Sequence, residues 1–336
     1  GKILCTTKEK ITQEAVQKEK MQIVPKGTVV MSFKLSIGKV GILAEDMYTN
    51  EAIANFVIKN NKMLFNEYLY YALQGMNFDS LTDRAVMGKT LNKAKLNNLS
   101  IVYNEPFMQQ QIVLRLDGVN KLIESRKQQL SELSKLVKSR FNEMFGSKKF
   151  DKVSISELVD DRIETAKKKF DQHDTIKYID ISSIDNKNYK MTGFQEYMLN
   201  QAPSRAQQHI RKGDIVVSTV RPNLKNIAIT ELDDENLVAS SGFCVLRALK
   251  CLPEYLFAII CSDRFTNKMT NIVTGANYPA IKSSDIMNYI VPLPPIQLQN
   301  EFADFVAQVD KSQLAIQKSL EELETLKKSL MQEYFG

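Results

Sequence analysis

The chain has 336 residues, 43% of them apolar, and its 45 basic side chains exceed 39 acidic ones for a net charge of +6. That length allows two or three domains with cores of their own, and so mild a basic excess permits a polyanionic partner without requiring one. No apolar run approaches the ~20 residues of a membrane span, and four scattered cysteines, Cys5, Cys244, Cys251 and Cys261, read as free thiols of a reducing compartment, so a soluble cytoplasmic protein with no membrane partner is expected.

In chain order, the first signal is the apolar run from Ile23 to Ser32, broken by a Pro25-Lys26-Gly27 turn. A basic loop carrying Lys34 and Lys39 follows, then strand-like segments at 40–43 and 52–58. Residues 66–73 predict a short helix with aromatic anchors, and a loop holding Lys89 and Lys93 leads to a strand at 99–102. Pro106 then opens a long helix over 109–145 whose seam, Ile112, Leu116, Val119, Ile123, Arg126, Leu130, Leu133, Val137 and Phe141, advances at steps of three and four.

The same order returns roughly 190 residues later. The run from Ile210 to Ser218 carries a Lys212-Gly213 turn, Arg221, Asn223 and Lys225 lie in the following loop, and strands are expected at 227–230 and 242–249. A helix at 253–260 and a strand at 287–291 precede Pro292, Pro294 and Pro295, which cannot continue a helix, so the second long helix begins just after them and runs over 297–335. Its seam reads Phe302, Val306, Val309, Gln313, Ile316, Leu320, Leu323, Leu326 and Leu330, with one slip near the end. Both long helices close on related tetrapeptides, Glu143-Met144-Phe145-Gly146 and Glu333-Tyr334-Phe335-Gly336, so the protein was built twice.

Apolar heptads of this kind mean a helix whose partner is another helix. The two copies are expected to pack on each other antiparallel, with the polar seam residues Arg126 and Gln313 fixing register, as a strut of roughly 58 Å at ~1.5 Å per residue. The fold class is therefore α+β: two mixed α/β domains joined by two long helices that pair as an antiparallel coiled coil, a pseudo-twofold internal repeat. The expected boundaries are 1–106 and 147–296 for the domains and 107–146 and 297–336 for the helices. Counting back from the Lys-Gly turns, the first copy has no counterpart to residues 147–186, which include a strand expected at 178–181. The front of the first domain is either truncated or outside this sequence.

The search for catalytic chemistry is negative. There is no phosphate-cradling glycine loop, the two histidines, His173 and His209, lie far apart, and no cysteine pair has C-x-x-C spacing, so neither a metal site nor a cofactor of this chain is expected. Asp160, Asp161 and Glu164 near Lys167 lack the spacing of a metal-dependent nuclease and read as a solvated charged turn. No catalytic residue is assigned.

What remains is cations interleaved with amides and aromatic rings, the side chains that contact phosphates and base edges. The richest stretch, 186–212, holds Lys187, Tyr189, Arg205, Gln207 and Arg211. Beside it stand Arg221, Asn223, Lys225, the run Lys167-Lys168-Lys169, Tyr278 and Lys282, with Lys34, Lys39, Lys89 and Lys93 in the first copy. A hydrophilic surface loop is the plain alternative for each of them, and Tyr278 either stacks on a base or packs.

Three segments carry a family resemblance: Thr274-Gly275-Ala276-Asn277-Tyr278-Pro279-Ala280-Ile281, the stretch from Ile290 through Pro292-Leu293-Pro294-Pro295 to Gln299, and the long helix ending Phe335-Gly336. With the internal duplication, they make the chain resemble the specificity subunit of type I restriction-modification systems. The resemblance implies two target-recognition domains, each reading one half of a bipartite, asymmetric double-stranded DNA site, with the paired helices setting the spacer. It also implies two docked methyltransferase subunits and restriction subunits in the full complex. Adenine methylation and ATP-dependent cleavage, with S-adenosylmethionine, ATP and magnesium, would then belong to the partners in defence against foreign DNA. The first copy departs from the pattern, reading Gly88-Lys89-Thr90-Leu91-Asn92 without the Tyr-Pro pair. Two readings from other classes stand beside this one, a coiled-coil adaptor that binds only proteins and an enzyme with an unrecognised centre.

Overall fold

The chain folds as two compact units, residues 1–130 with 315–336 and residues 131–314. The computed structural model describes all residues except 1, 8, 35, 79–82, 86–87, 92, 147, 161 and 276–278. The division cuts through both long helices, so each unit contains part of each.

In chain order the elements are β1 (Ile3–Leu4), α1 (Gln13–Lys18), β2 (Val29–Ser32), β3 (Val40–Leu43), β4 (Ile53–Phe56), α2 (Asn66–Gly75), β5 (Asp83–Ala85), β6 (Gly88–Thr90), α3 (Lys93–Asn97) and the long helix α4 (Pro106–Phe141). There follow β7 (Asp151–Ser154), β8 (Val159–Asp160), α5 (Ala166–Lys169), β9 (Thr175–Ile179), β10 (Ile184–Asp185), β11 (Lys190–Met191), β12 (Gln195–Met198), β13 (Ala206–His209), β14 (Ile215–Ser218), β15 (Ile227–Ile229), β16 (Leu237–Ser240) and β17 (Phe243–Ala248). The chain closes with α6 (Pro253–Ile260), α7 (Asp263–Asn271), α8 (Ser283–Met287), β18 (Ile290–Leu293) and the second long helix α9 (Ile296–Phe335).

In the first unit, β2 is the centre of a sheet ordered β1-β3-β2-β4, antiparallel to β3 and β4, with β1 parallel to β3. Its β-branched and aliphatic residues suit a strand covered on both faces. The turn into it needs a glycine: Gly27 has φ +82°, and Thr28 N–H donates to Pro25 O at 3.2 Å. Helix α2 buries Tyr68, Leu69, Tyr70, Tyr71, Ala72 and Leu73 together with Val29, Ile42, Ile112 and Leu116. The α4 and α9 segments of this unit run in opposite directions. Arg115 meets the Tyr334 hydroxyl at 2.9 Å and Lys127 meets Glu324 at 3.2 Å, while Val119 and Ile123 pack with Leu320.

The second unit repeats this scaffold and adds to it. Strand β14 lies between β15 and β17 in the order β15-β14-β17-β8, and Gly213, φ +86°, makes the equivalent turn with Asp214 N–H donating to Arg211 O at 3.0 Å. A further sheet, β12-β9-β16-β13, is built around β9, which falls in the stretch without a counterpart in the first copy. That strand covers Thr175–Ile179 rather than 178–181, because Asp180 accepts from Ile181 N–H as the cap of a short 3-10 turn and ends it. Strand β18 likewise begins at Ile290 rather than 287, since α8 runs to Met287. It carries Pro292 but pairs only with β7, an edge where a missing N–H is tolerated. Cys244 and Cys251 are buried, which pushes both thiols up to about 11, so they stay protonated core groups.

Both long helices start earlier than the periodicity predicts, α4 at Pro106, since proline is accommodated in a first turn, and α9 one residue early at Ile296, directly after Pro295. Of the expected seam, Leu116, Val119, Ile123, Val309 and Leu320 are buried, while Leu130, Leu133, Val306, Ile316 and Leu323 are partly buried. Leu326 is not in it: that side chain is 46% exposed, and the partly buried Lys327 takes the position. The slip in the apolar pattern is therefore a polar seam residue, and the alternation of three and four continues to Leu330. The helix ends also differ. After Phe141 a wide π turn over Asn142–Gly146 brings Met144 and Phe145 both into the core, whereas α9 stays α-helical to Phe335.

Candidate nucleic-acid interface

Strand β14 ends at Ser218, and residues 219–226 carry the chain over to β15. Within them Pro222–Leu224 form one 3-10 turn, flanked by Arg221 and Lys225 with left-handed backbone, φ 49° and 53°. Three neighbours hold this turn. Arg221 N–H donates to Pro279 O at 2.8 Å, Asn186 Nδ2 donates to Leu224 O at 2.9 Å, and Lys225 Nζ lies 2.6 Å from Asp263 Oδ1. Next to it, Thr219 N–H donates to Gly242 O and Ser241 N–H to Arg205 O. One end of the second unit thus gathers Arg205, Arg221, Asn223, Lys225, the 187–189 loop and, through the 279–281 segment, Lys282.

The other candidates divide among different places. Arg211 stands at the start of β14, 3.8 Å from Glu164, so the strand separates it from Arg221. Lys167, Lys168 and Lys169 are exposed on α5, which lies along β13. Gln207 is exposed and donates to Ser204 O. Tyr189 is turned inward, its ring edge-on to Phe257 at 6.4 Å, and burial pushes its hydroxyl above the ordinary range. Lys187, Arg205, Asn223 and Lys282 are exposed. Tyr278 lies outside the described residues.

The first unit offers the same framework with fewer groups. Leu91 N–H donates to Phe33 O at 3.1 Å, as Ile281 N–H donates to Thr219 O at 2.9 Å in the second unit. The backbone at Leu91, between Lys89 on β6 and Lys93 at the start of α3, is thereby held against the loop after β2. Lys39 is exposed there, and Lys34 lies 5.8 Å from the Phe33 ring.

Two internal latches, absent from the sequence reading, fix these loops to the long helices. Buried Gln109 accepts from Phe65 N–H at 3.1 Å and donates to Met63 O and Asn104 O. Buried Gln299 accepts from Leu252 N–H at 2.9 Å and donates to Pro294 O at 2.8 Å. Each glutamine thus ties the residue that starts a short helix to the first turns of a long one. The second latch is a buried tyrosine, with Tyr68 donating to Val102 O at 2.8 Å and Tyr255 to Pro292 O at 2.6 Å. The signal that would reveal both is identity at matching places of the repeat. Glutamine in an otherwise apolar helix face is easily taken for a surface residue.

Among the described residues no group of three or more His, Cys, Asp or Glu side chains is arranged to hold a metal ion, and no described helix is long and apolar enough to cross a membrane. Near the lysines of α5, His209 is buried against β16. Burial first, and then the nearby cations Lys169, Arg211 and Arg247, push its imidazole below the ordinary value of 6.5. A histidine buried neutral favours folding fully above its unfolded pKa, and that contribution is lost as pH falls through the lower folded value. Stability of the second unit should therefore decline on acidification below about pH 6.5. His209→Gln should flatten that decline in urea titrations at stepped pH, and an unchanged slope would refute the assignment.

Comparison with known proteins gives one consistent result. The family described as "Type I restriction modification DNA specificity domain" matches residues 2–135 and again 147–327. The type I restriction enzyme MjaVIII specificity subunit of Methanocaldococcus jannaschii is 23% identical over 325 residues, covering 89% of this chain and 74% of that protein. The MjaIX specificity subunit of the same organism is 23% identical over 350 residues, covering 96% and 79%. The crystal structure of the type I restriction-modification S subunit from M. genitalium superposes with a TM-score of 0.57 over 100% of this chain and 88% of that one, at 14% identity, a likeness of fold.

Proposed function

The chain belongs to the type I restriction-modification DNA specificity family and carries two copies of its domain, and from that premise we propose that each copy reads one half of a bipartite, asymmetric duplex site. The long helices pair as an antiparallel coiled coil with pseudo-twofold symmetry. They set the spacer between half-sites and dock two methyltransferase subunits, with restriction subunits joining for cleavage. The chain is itself non-catalytic and works in the cytoplasm. S-adenosylmethionine, ATP and magnesium serve the partner subunits. The observation that carries this reading is the duplicated frame: in both units an N–H from the segment just ahead of a short helix, α3 or α8, holds the basic loop after the central strand, Leu91 to Phe33 and Ile281 to Thr219. Cations and amides on a preformed loop match the division of labour between phosphate contacts that orient and base contacts that specify.

Selection of bound sequences from a random duplex library by the full chain, at two salt concentrations, tests it. A two-part motif should emerge, with affinity falling linearly in log-log against salt as counterions are released. Arg221→Ala should blur one half of the motif and leave the other intact. Salt-independent binding would favour a protein-only adaptor, and equal loss of both halves would refute independent reading by the two units.

A further inference from the structure

The best-anchored part of the second unit's basic end is the Arg221 to Lys225 turn, and its anchoring is more elaborate than a surface loop needs. Two non-glycine residues with positive φ bracket it. Side chains with a Cβ seldom adopt that conformation, and such residues gather at functional sites. Here the surroundings include an ion pair that reaches the long helix. One oxygen of Asp263 accepts from Lys225 at 2.6 Å, and the other accepts from Lys138 of α4 at 2.6 Å.

Asp263 is well placed for this. It is the first residue of α7, behind the Ser262 cap that accepts from Phe265 N–H, and α7 packs on the turn. Lys138 and then Lys225 hold its carboxyl down at about 2, so the bridge stays charged at any working pH. Lys225 is only 23% exposed and packs beside the inward-turned Tyr189. Its charge is engaged with Asp263. Arg221 and Asn223 are exposed on the same turn. A guanidinium and a carboxamide are the groups that read guanine and adenine edges bidentately, and such reading depends on where the backbone holds them.

We propose that the Arg221 to Lys225 turn is a preformed reading element whose posture is set by the Lys138-Asp263-Lys225 bridge. Lys225 and Asp263 are then positioning residues, and Lys225 is not a phosphate contact. The inference rests on the DNA reading above and deepens it, assigning recognition in the second half-site to Arg221 and Asn223.

The test is binding-site selection by the full chain, comparing wild type with Asp263→Asn, Lys225→Met and the double variant, with thermal melting as a check on folding. If Asp263 were only a surface acid, removing its charge beside a polyanion would strengthen binding to all sequences and leave the motif unchanged. The expected result is instead loss of discrimination by about ten-fold at one or two positions of one half-site, the scale of a single good base contact, with the other half unaltered. Lys225→Met should give the same loss without reducing the salt slope, and the double variant should lose no more than either single one, as members of one unit do. A sharp wild-type motif that persists in Asp263→Asn, or a Lys225→Met chain with a salt slope lower by one phosphate contact, overturns the inference and leaves the DNA reading standing. A wild-type chain that selects no motif overturns both.

Discussion

Phe335→Ala is expected to destabilise the first unit by about 2–4 kcal/mol and to leave the second at its wild-type stability. The ring of Phe335 lies 5.3 Å from that of Tyr68, a fully buried residue of α2, so the last residue of the second long helix helps form the core of the first unit. Gly75 makes room for it: a Cβ there would come within 2.8 Å of the Phe335 Cβ. The mirror substitution is Phe145→Ala. Phe145, at the end of the first long helix, stacks edge-on against Tyr255 at 5.0 Å and Phe302 at 5.6 Å within the second unit. It is the more buried of the two, and its loss should cost about 3–5 kcal/mol in the second unit alone. Amide hydrogen exchange, read separately for each unit, checks both. Similar loss of protection in both units after either substitution would refute the crossed arrangement.

The second large effect concerns the glutamine latches. Gln299→Leu keeps the volume but strands the N–H of Leu252 and the carbonyl of Pro294, and leaving buried backbone groups unpaired costs about 1–3 kcal/mol each. A loss of roughly 3 kcal/mol in the second unit is expected, and Gln109→Leu should do the same in the first. The neighbouring exposed Gln297 supplies the control, since Gln297→Leu removes no buried hydrogen bond. Urea denaturation of the three variants decides: a Gln299→Leu chain within about 1 kcal/mol of the Gln297→Leu chain would mean the latch contributes nothing.

Much of the scaffold was legible because it repeats. The Lys-Gly turns, the aromatic short helices and the two long helices all follow from periodicity and from glycine and proline placement, and each recurs near the expected position. The seam could be read to within one residue. Leu326 misled because a strict preference for leucine hides a lysine whose stem can lie along an apolar groove with its charge at the rim. Sheet pairing was less accessible. Strand β9 is short and its order in the sheet, between β12 and β16, depends on partners far along the chain.

The candidate interface was legible only as composition. Sequence could place Arg221, Asn223 and Lys225 in one loop, but not show that Lys225 is bonded to an acid 38 residues away. Nor could it show Tyr189 turned inward, since a tyrosine in a polar run has the same letter whether it stacks on a base or on Phe257. Asp263 and Lys138 carried no local signal: one begins a helix and the other lies on the outer part of a heptad. Their pairing exists only in three dimensions.

The crossed arrangement at Phe335 bears on how the protein is made. Proteins generally acquire structure from the N-terminus as the ribosome releases them, at about 5–20 residues per second. Here residues 131–314 hold everything the second unit needs, while the first unit waits for 315–336. Until those residues emerge, the apolar faces of Leu116, Val119 and Ile123 and the end of α2 at Gly75 have no cover from the second long helix. At the stated rates that interval lasts on the order of ten seconds or more. The half that is translated first is the half that closes last, and during that delay it is the stretch of nascent chain most in need of chaperone protection.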